Sequence, residues 1–268
     1  MPNDNQYSTL QTPESPAPIS DLDRRFGGLA RLYGVSGAQR IASAHVAVIG
    51  IGGVGSWAVE ALARSGVGRL TLIDLDHVSE SNINRQIHAV DASLGQAKVL
   101  AMRDRVHSFN PACQLTCIEE FVDTENWPAL LPDGVDAVID ACDQVKAKTT
   151  LAAWALDTQT LFIAVGAAGG KRHAHLVGID DLAHITHDPL LAQVRYRLRK
   201  EHQAAREGKK IGVACVFSRE AVKAPDPSCA IKGDGTLSCH GYGSVVSVTA
   251  TFGLCAAGWI LDQISDGR

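Results

Sequence analysis

The stretch from His45 to Asp76 limits the folds open to this chain more than any other. An apolar run, His45–Ile49, breaks at Gly50, Gly52, Gly53 and Gly55, continues as a small-residue helix over Ser56–Ser65, and returns as a second apolar run, Arg69–Asp74. Strand, glycine turn, helix and strand follow in that order. The Gly50-x-Gly52-x-x-Gly55 spacing is that of a dinucleotide fold, where one glycine makes the tight turn, one lets backbone approach phosphate, and one lets helix pack on strand. Asp74 ends the second strand about twenty residues on, where an acidic side chain takes ribose hydroxyls. These features predict a nucleotide site without naming the nucleotide.

The chain beyond repeats the alternation. A polar loop, Leu75–Leu94, precedes a helix Gly95–Ser108, a strand Gln114–Glu120, a short helix near Glu125–Leu131, a strand Asp136–Ala141, a helix Val145–Leu156 and a strand Leu161–Val165. Alternation of this kind predicts an α/β fold with a doubly wound, mostly parallel, Rossmann-like sheet. After Gly166 the pattern changes to a strand around His173–Ile179, a basic helix over Pro189–Ala205, a strand Ile211–Phe217 and a loop Ser218–Tyr242. The expectation is one domain over 21–268, a nucleotide-binding half (21–166) followed by an elaborated, partly antiparallel C-terminal half (167–268). Residues 1–20, rich in Pro, Ser, Asn and Gln, read as a disordered tail.

At 268 residues and 46% apolar composition the chain can bury a large core. A formal charge of −4 argues against wholesale coating of nucleic acid, although it leaves room for local patches. Seven cysteines with no C-x-x-C pair, and no signal peptide, point to a reducing cytoplasm and away from structural zinc. The uncharged segment Gly241–Leu261 is as long as a membrane span, but its Gly, Ser, Thr and Ala content and its lack of basic flanks close on one side and of an aromatic belt favour a buried helix.

The chemistry lies after Asp74. The loop carries Asn82, Arg85 and Gln86, and Lys98 follows on the next helix. Hydride transfer has no use for a cationic pair here, whereas cleaving a triphosphate requires cations beside its phosphates, a role open to Arg85 and Lys98. A solvated loop and a surface lysine account for the same residues taken singly. Asp140 and Asp143 sit at the carboxyl end of a predicted parallel strand, where doubly wound sheets place ligands and where a carboxylate can hold Mg²⁺.

The combination of G-I-G-G-V-G-S at 50–56, L-I-D-L-D at 72–76, S-N-I-N-R-Q at 81–86, Lys98 and D-x-x-D at 140–143 resembles the ubiquitin-activating-enzyme-like adenylating family, the ThiF, MoeB and HesA group. The resemblance implies that ATP is bound with Gly52 against the phosphates, with Asn82, Arg85, Gln86 and Lys98 on the triphosphate and with Asp143 on Mg²⁺. It also implies a homodimer in which Arg25 reaches the partner's ATP site. The C-terminal half, with I-D-D-L-A-H-I-T-H-D-P-L-L-A-Q-V-R-Y-R-L-R-K and G-K-K-I-G-V-A-C-V-F-S-R-E, is similar to the branch that dehydrates threonylcarbamoyladenosine in tRNA beside the anticodon. That branch implies adenylation of the threonine carboxylate followed by cyclisation. It also implies sulfur-relay partners such as a cysteine desulfurase, which would require Cys229 or Cys239; in a glycine-rich loop either thiol can equally be incidental.

Residues 195–210 carry Arg195, Arg197, Arg199, Lys200, Arg206, Lys209 and Lys210 against Glu201 and Glu207, seven positive charges less two negative, or +5. Lys171 and Arg172 extend the strip. Such a strip suits a phosphate backbone, and a solvated helix face explains it as well. Three alternatives stay open: an adenylyltransferase for a ubiquitin-like sulfur carrier, a nicotinamide dehydrogenase, and a non-catalytic nucleotide-binding adaptor.

Overall fold

The structure, a computed structural model, describes residues 21–206, 208–226, 228 and 242–267. The expected tail 1–20 and both loop cysteines, Cys229 and Cys239, lie outside the described residues.

Seven strands form one sheet in the order β3-β2-β1-β4-β5-β7-β6. They are β1 (His45–Ile49), β2 (Arg69–Ile73), β3 (Gln114–Ile118), β4 (Ala137–Asp140), β5 (Leu161–Val165), β6 (Val177–Asp181) and β7 (Ala214–Ser218). Every neighbouring pair is parallel except β6 and β7. Parallel strands covered on both faces need apolar side chains at every position, and β1 is buried along its whole length. Its alternate residues feed two cores. Val46 and Val48 face the core shared with α3 (Gly55–Arg64), α4 (Lys98–Phe109) and α7 (Val246–Asp266), while Ala47 and Ile49 face the core shared with α5 (Val145–Thr158) and α6 (Pro189–Glu201). Two N-terminal helices, α1 (Leu22–Phe26) and α2 (Gly28–Ser43), lead into β1, with α2 kinked at Gly34.

The chain runs outward from β1 to β3, then returns to lay β4 on the other side of β1. The crevice between the carboxyl ends of β1 and β4 is therefore the switch point at which such sheets bind ligands.

The apolar C-terminal segment is a buried helix, as expected: Val248, Phe252, Ala256 and Ile260 on α7 are all fully buried, and α7 packs on α3 and α2. The contact with α3 depends on Gly253, where a Cβ would lie 2.4 Å from the Val54 carbonyl oxygen. Among the described residues no helix is long and apolar enough to cross a membrane.

Two expected elements are replaced. Glu125–Leu131 forms turns and not a helix, although its start is capped as a helix would be, with Asp123 Oδ1 accepting from the Glu125 and Asn126 amides and Asn126 Oδ1 from the Asp123 amide. Pro128 then lacks the amide that a helix would bond to the Thr124 carbonyl, so the helix does not propagate. The strand expected from His173 begins only at Val177, since Glu220 Oε2 takes the Arg172 and His173 amides and Ala174–Leu176 turns as a short 3-10 segment.

Candidate active site

The glycine turn lies between β1 and α3 and sets the cleft's geometry. Gly50 has φ 85° and packs against the Ala141 peptide, so close that a Cβ would stand 2.9 Å from the Ala141 carbonyl carbon. Gly55 plays the packing role expected of the third glycine: a Cβ there would fall 1.8 Å from the Gly50 carbonyl oxygen. Gly52 is different, with nothing within 4 Å of a would-be Cβ. It lines a cleft of about 1130 Å³, partly open to solvent, at the switch point.

Asp74 lines the same cleft, and both its oxygens are engaged: Oδ2 accepts from the Ile51 amide at 2.6 Å and Oδ1 from the Asp76 amide at 2.8 Å. Burial pushes its pKa up, against the charge of Lys98 and the two amides. Arg85 and Lys98 both line the cleft although each is largely buried. Arg85 is held by its Nη1 donating to the Ser81 carbonyl and Asn84 Oδ1, and Trp57 Nε1 from α3 donates to the Arg85 carbonyl. Lys98 Nζ stands 2.6 Å from Asp76 Oδ2. Gln86 also lines the cleft, and its Oε1 is buried without a partner among the described residues. Asp143, exposed beyond the end of β4, completes the set.

Seven of the residues expected to serve the nucleotide thus converge with Asp143: Gly50, Gly52, Gly53, Asp74, Arg85, Gln86 and Lys98. Three do not. Gly55 sits behind the turn, and Asn82 is buried with its Oδ1 accepting from the Ser79 amide, which caps the loop. Arg25 donates to the Phe109 carbonyl, away from the cleft of its own chain.

The basic strip needs correction. Lys171 is buried and donates to the carbonyls of His187, Ser218 and Glu220, so it fastens loops and faces no ligand. Arg195 spends its guanidinium on the Leu182 and Ile185 carbonyls, and Arg199 Nε donates to the Ala205 carbonyl. Arg197 is half-buried. Arg172, Lys200, Arg206, Lys209 and Lys210 are the exposed positive charges of this region.

Sequence reasoning missed Cys142 and Thr249, which line the cleft, and Lys148 beneath it. Lys148 had a signal: it shares the spacing of Leu151, Ala152 and Ala155 on the buried face of α5, where a charge demands a partner.

A ThiF family model matches residues 24–267, which takes in every element of the cleft. The chain belongs to the ThiF family. Among ThiF-family proteins it is 43% identical over 256 residues to the tRNA threonylcarbamoyladenosine dehydratase of Escherichia coli, covering 92% of this chain and 96% of that protein. The corresponding enzyme of Haemophilus influenzae is 41% identical over 250 residues, with the same coverage of 92% and 96%. The E. coli dehydratase solved in complex with ATP superposes with a TM-score of 0.83 at 41% identity, over 93% of this chain and 97% of that one. The similarity therefore extends through the C-terminal half as well as the nucleotide fold.

Proposed function

We propose that this protein uses ATP to dehydrate threonylcarbamoyladenosine in tRNA. The observation that carries the reading is a cleft joining a phosphate-approach glycine, a ribose carboxylate, two cations and a free carboxylate, in a chain similar over 92% of its length to two dehydratases. A nicotinamide dehydrogenase would leave Arg85, Lys98 and Asp143 without work.

Asp74 accepts ribose hydroxyls while the Ile51 and Asp76 amides hold it in place. Gly52 admits the phosphates; Arg85 and Lys98 spread their charge; Gln86 Oε1, unpaired and buried, is an acceptor for a bound group. Asp143 makes no ion pair among the described residues, which suits it to hold Mg²⁺, and the ion's charge would offset that of the triphosphate. The substrate carboxylate attacks the α-phosphorus, pyrophosphate leaves, and an acyl-adenylate forms. An atom of the neighbouring carbamoyl group then attacks the acyl carbon, a proton is lost, and AMP departs with the carboxylate oxygen, so the nucleoside loses one water. Ring closure is intramolecular, and effective molarities on the order of 10⁵ M or more leave no need for a protein nucleophile.

The exposed cations Arg172, Lys200, Arg206, Lys209 and Lys210 bind the tRNA backbone. Arg25 completes the site of a partner subunit in a homodimer, the whole of 21–268 acts as one domain, and the protein works in the cytoplasm. AMP should form from ATP only when tRNA carrying threonylcarbamoyladenosine is added. AMP formed with a Gly-Gly-terminated carrier protein and no tRNA would instead favour the sulfur-carrier reading.

A further inference from the structure

Beneath the cleft lies an ion pair that the chemistry above does not use. Lys148 and Asp140 are both wholly buried, and Lys148 Nζ lies 2.9 Å from Asp140 Oδ2. The same ammonium donates to the Asp140 backbone carbonyl at 3.1 Å. Burial, the largest single influence, acts to lower the Lys148 pKa, but Asp140, Cys142 and Cys215 together raise it above the ordinary lysine value.

Asp140 is the last residue of β4, and its other oxygen is turned toward the cleft wall. Oδ1 accepts from the Cys142 amide at 3.2 Å and from the Cys142 thiol at 2.9 Å. The Ala141 amide donates to the Ile49 carbonyl at 2.8 Å, and the Ala141 peptide packs on Gly50. The 141–143 turn is therefore held by Asp140 from below and by the glycine loop from the side. Asp143 projects from its end into the cleft.

A buried ion pair is weak evidence for stability, since apolar residues of similar volume often do as well or better. What the pair does supply is direction. The Lys148 ammonium holds Oδ2 by charge, outside hydrogen-bonding geometry, and donates its hydrogen bond to the backbone carbonyl of the same residue, which leaves Oδ1 to the turn. We propose that Lys148 is a positioning residue: through Asp140 it fixes the 141–143 turn and so the direction from which Asp143 meets a metal-bound triphosphate. This inference rests on reading the cleft as an ATP site with Asp143 as its metal carboxylate.

The test is calorimetric titration of the full chain with ATP in Mg²⁺, with ATP in EDTA, and with AMP. Lys148→Met alone strands a buried carboxylate and can unfold the protein, so the Asp140→Asn/Lys148→Met double variant, which removes both charges, is the main probe. It should melt near the wild type and bind AMP within about twofold of wild type, while losing at least tenfold of the ATP affinity gained with Mg²⁺. Lys148→Arg should retain most of that gain. An undiminished Mg²⁺ effect in the double variant, beside a Mg²⁺-dependent wild type, overturns the inference alone. An equal loss for AMP overturns it too, by showing a general collapse of the cleft. A wild type whose ATP affinity ignores Mg²⁺ overturns the Asp143 reading and this inference with it.

Discussion

Lys98 Nζ lies 2.6 Å from Asp76 Oδ2, with the lysine side chain 7% exposed and the carboxylate 53% exposed. The pair spans the rim of the cleft, so the cation is stored against a carboxylate that water can reach. A triphosphate carries more negative charge than Asp76 and competes for the same ammonium. Because Asp76 is half-exposed, truncating Lys98 leaves a carboxylate that water can hydrate and not a stranded buried charge. Lys98→Ala should therefore melt close to the wild type while AMP formation falls by about 10²-fold or more, the usual effect of removing a charge aimed at the transition state. Turnover near wild type in a folded Lys98→Ala protein would remove Lys98 from the chemistry.

The glycines divide into two classes with opposite expected outcomes. In Gly55→Ala the new methyl meets the Gly50 carbonyl oxygen at 1.8 Å, a backbone clash that no rotamer relieves. It should destabilise the protein by about 3 kcal/mol or more in urea unfolding. In Gly52→Ala the methyl meets nothing within 4 Å and projects where phosphate approaches. That variant should melt like the wild type and bind ATP at least tenfold more weakly in calorimetry.

The corrected surface charges identify which residues to test for RNA binding. Lys200, Lys209 and Lys210 are exposed, whereas Lys171 and Arg195 are committed to backbone carbonyls. Reversing the three exposed lysines to Glu should weaken tRNA binding and reduce its log–log salt slope by about 2–3, roughly one unit per lost phosphate contact. ATP affinity should stay unchanged. Equal salt slopes for variant and wild type would place the tRNA elsewhere.

His88 gives the protein an acid limit. It is buried, neither ring nitrogen has a partner among the described residues, and burial lowers its pKa from 6.5 to about 4, with Lys98 and Arg105 adding to the shift. The unfolded chain therefore takes up this proton first as pH falls. The stability that neutral His88 contributes is complete above about pH 6.5 and is lost progressively as pH falls through about 4, a total of about 3 kcal/mol. His88→Leu should make the loss of unfolding free energy between pH 7 and pH 4 shallower by about that amount. Parallel curves for variant and wild type would contradict it.

Much of this was legible in the chain. The bounds of β1 and β5 were readable because central parallel strands are unbroken apolar runs closed by glycine or polar residues, and the glycine turn placed the cleft. The sheet's far side was not, because sequence does not record that β7 inserts between β5 and β6. Nor were the buried charges legible. Lys171 looks like a surface base until carbonyls at 187, 218 and 220 are folded around it, and Asn82 looks like a ligand until Ser79 claims it. In each case the partner that decides the role is brought close only by the fold or by a local turn.

The central claim concerns one bond-forming sequence on one nucleoside. The direct measurement is mass spectrometry of nucleosides digested under mild conditions from tRNA carrying threonylcarbamoyladenosine, after incubation with the purified protein, ATP and Mg²⁺. Conversion should remove the mass of one water from that nucleoside, with AMP formed in equal amount and no change when ATP is left out. A nucleoside of unaltered mass, after incubation with protein that binds both ATP and the tRNA, would contradict the account.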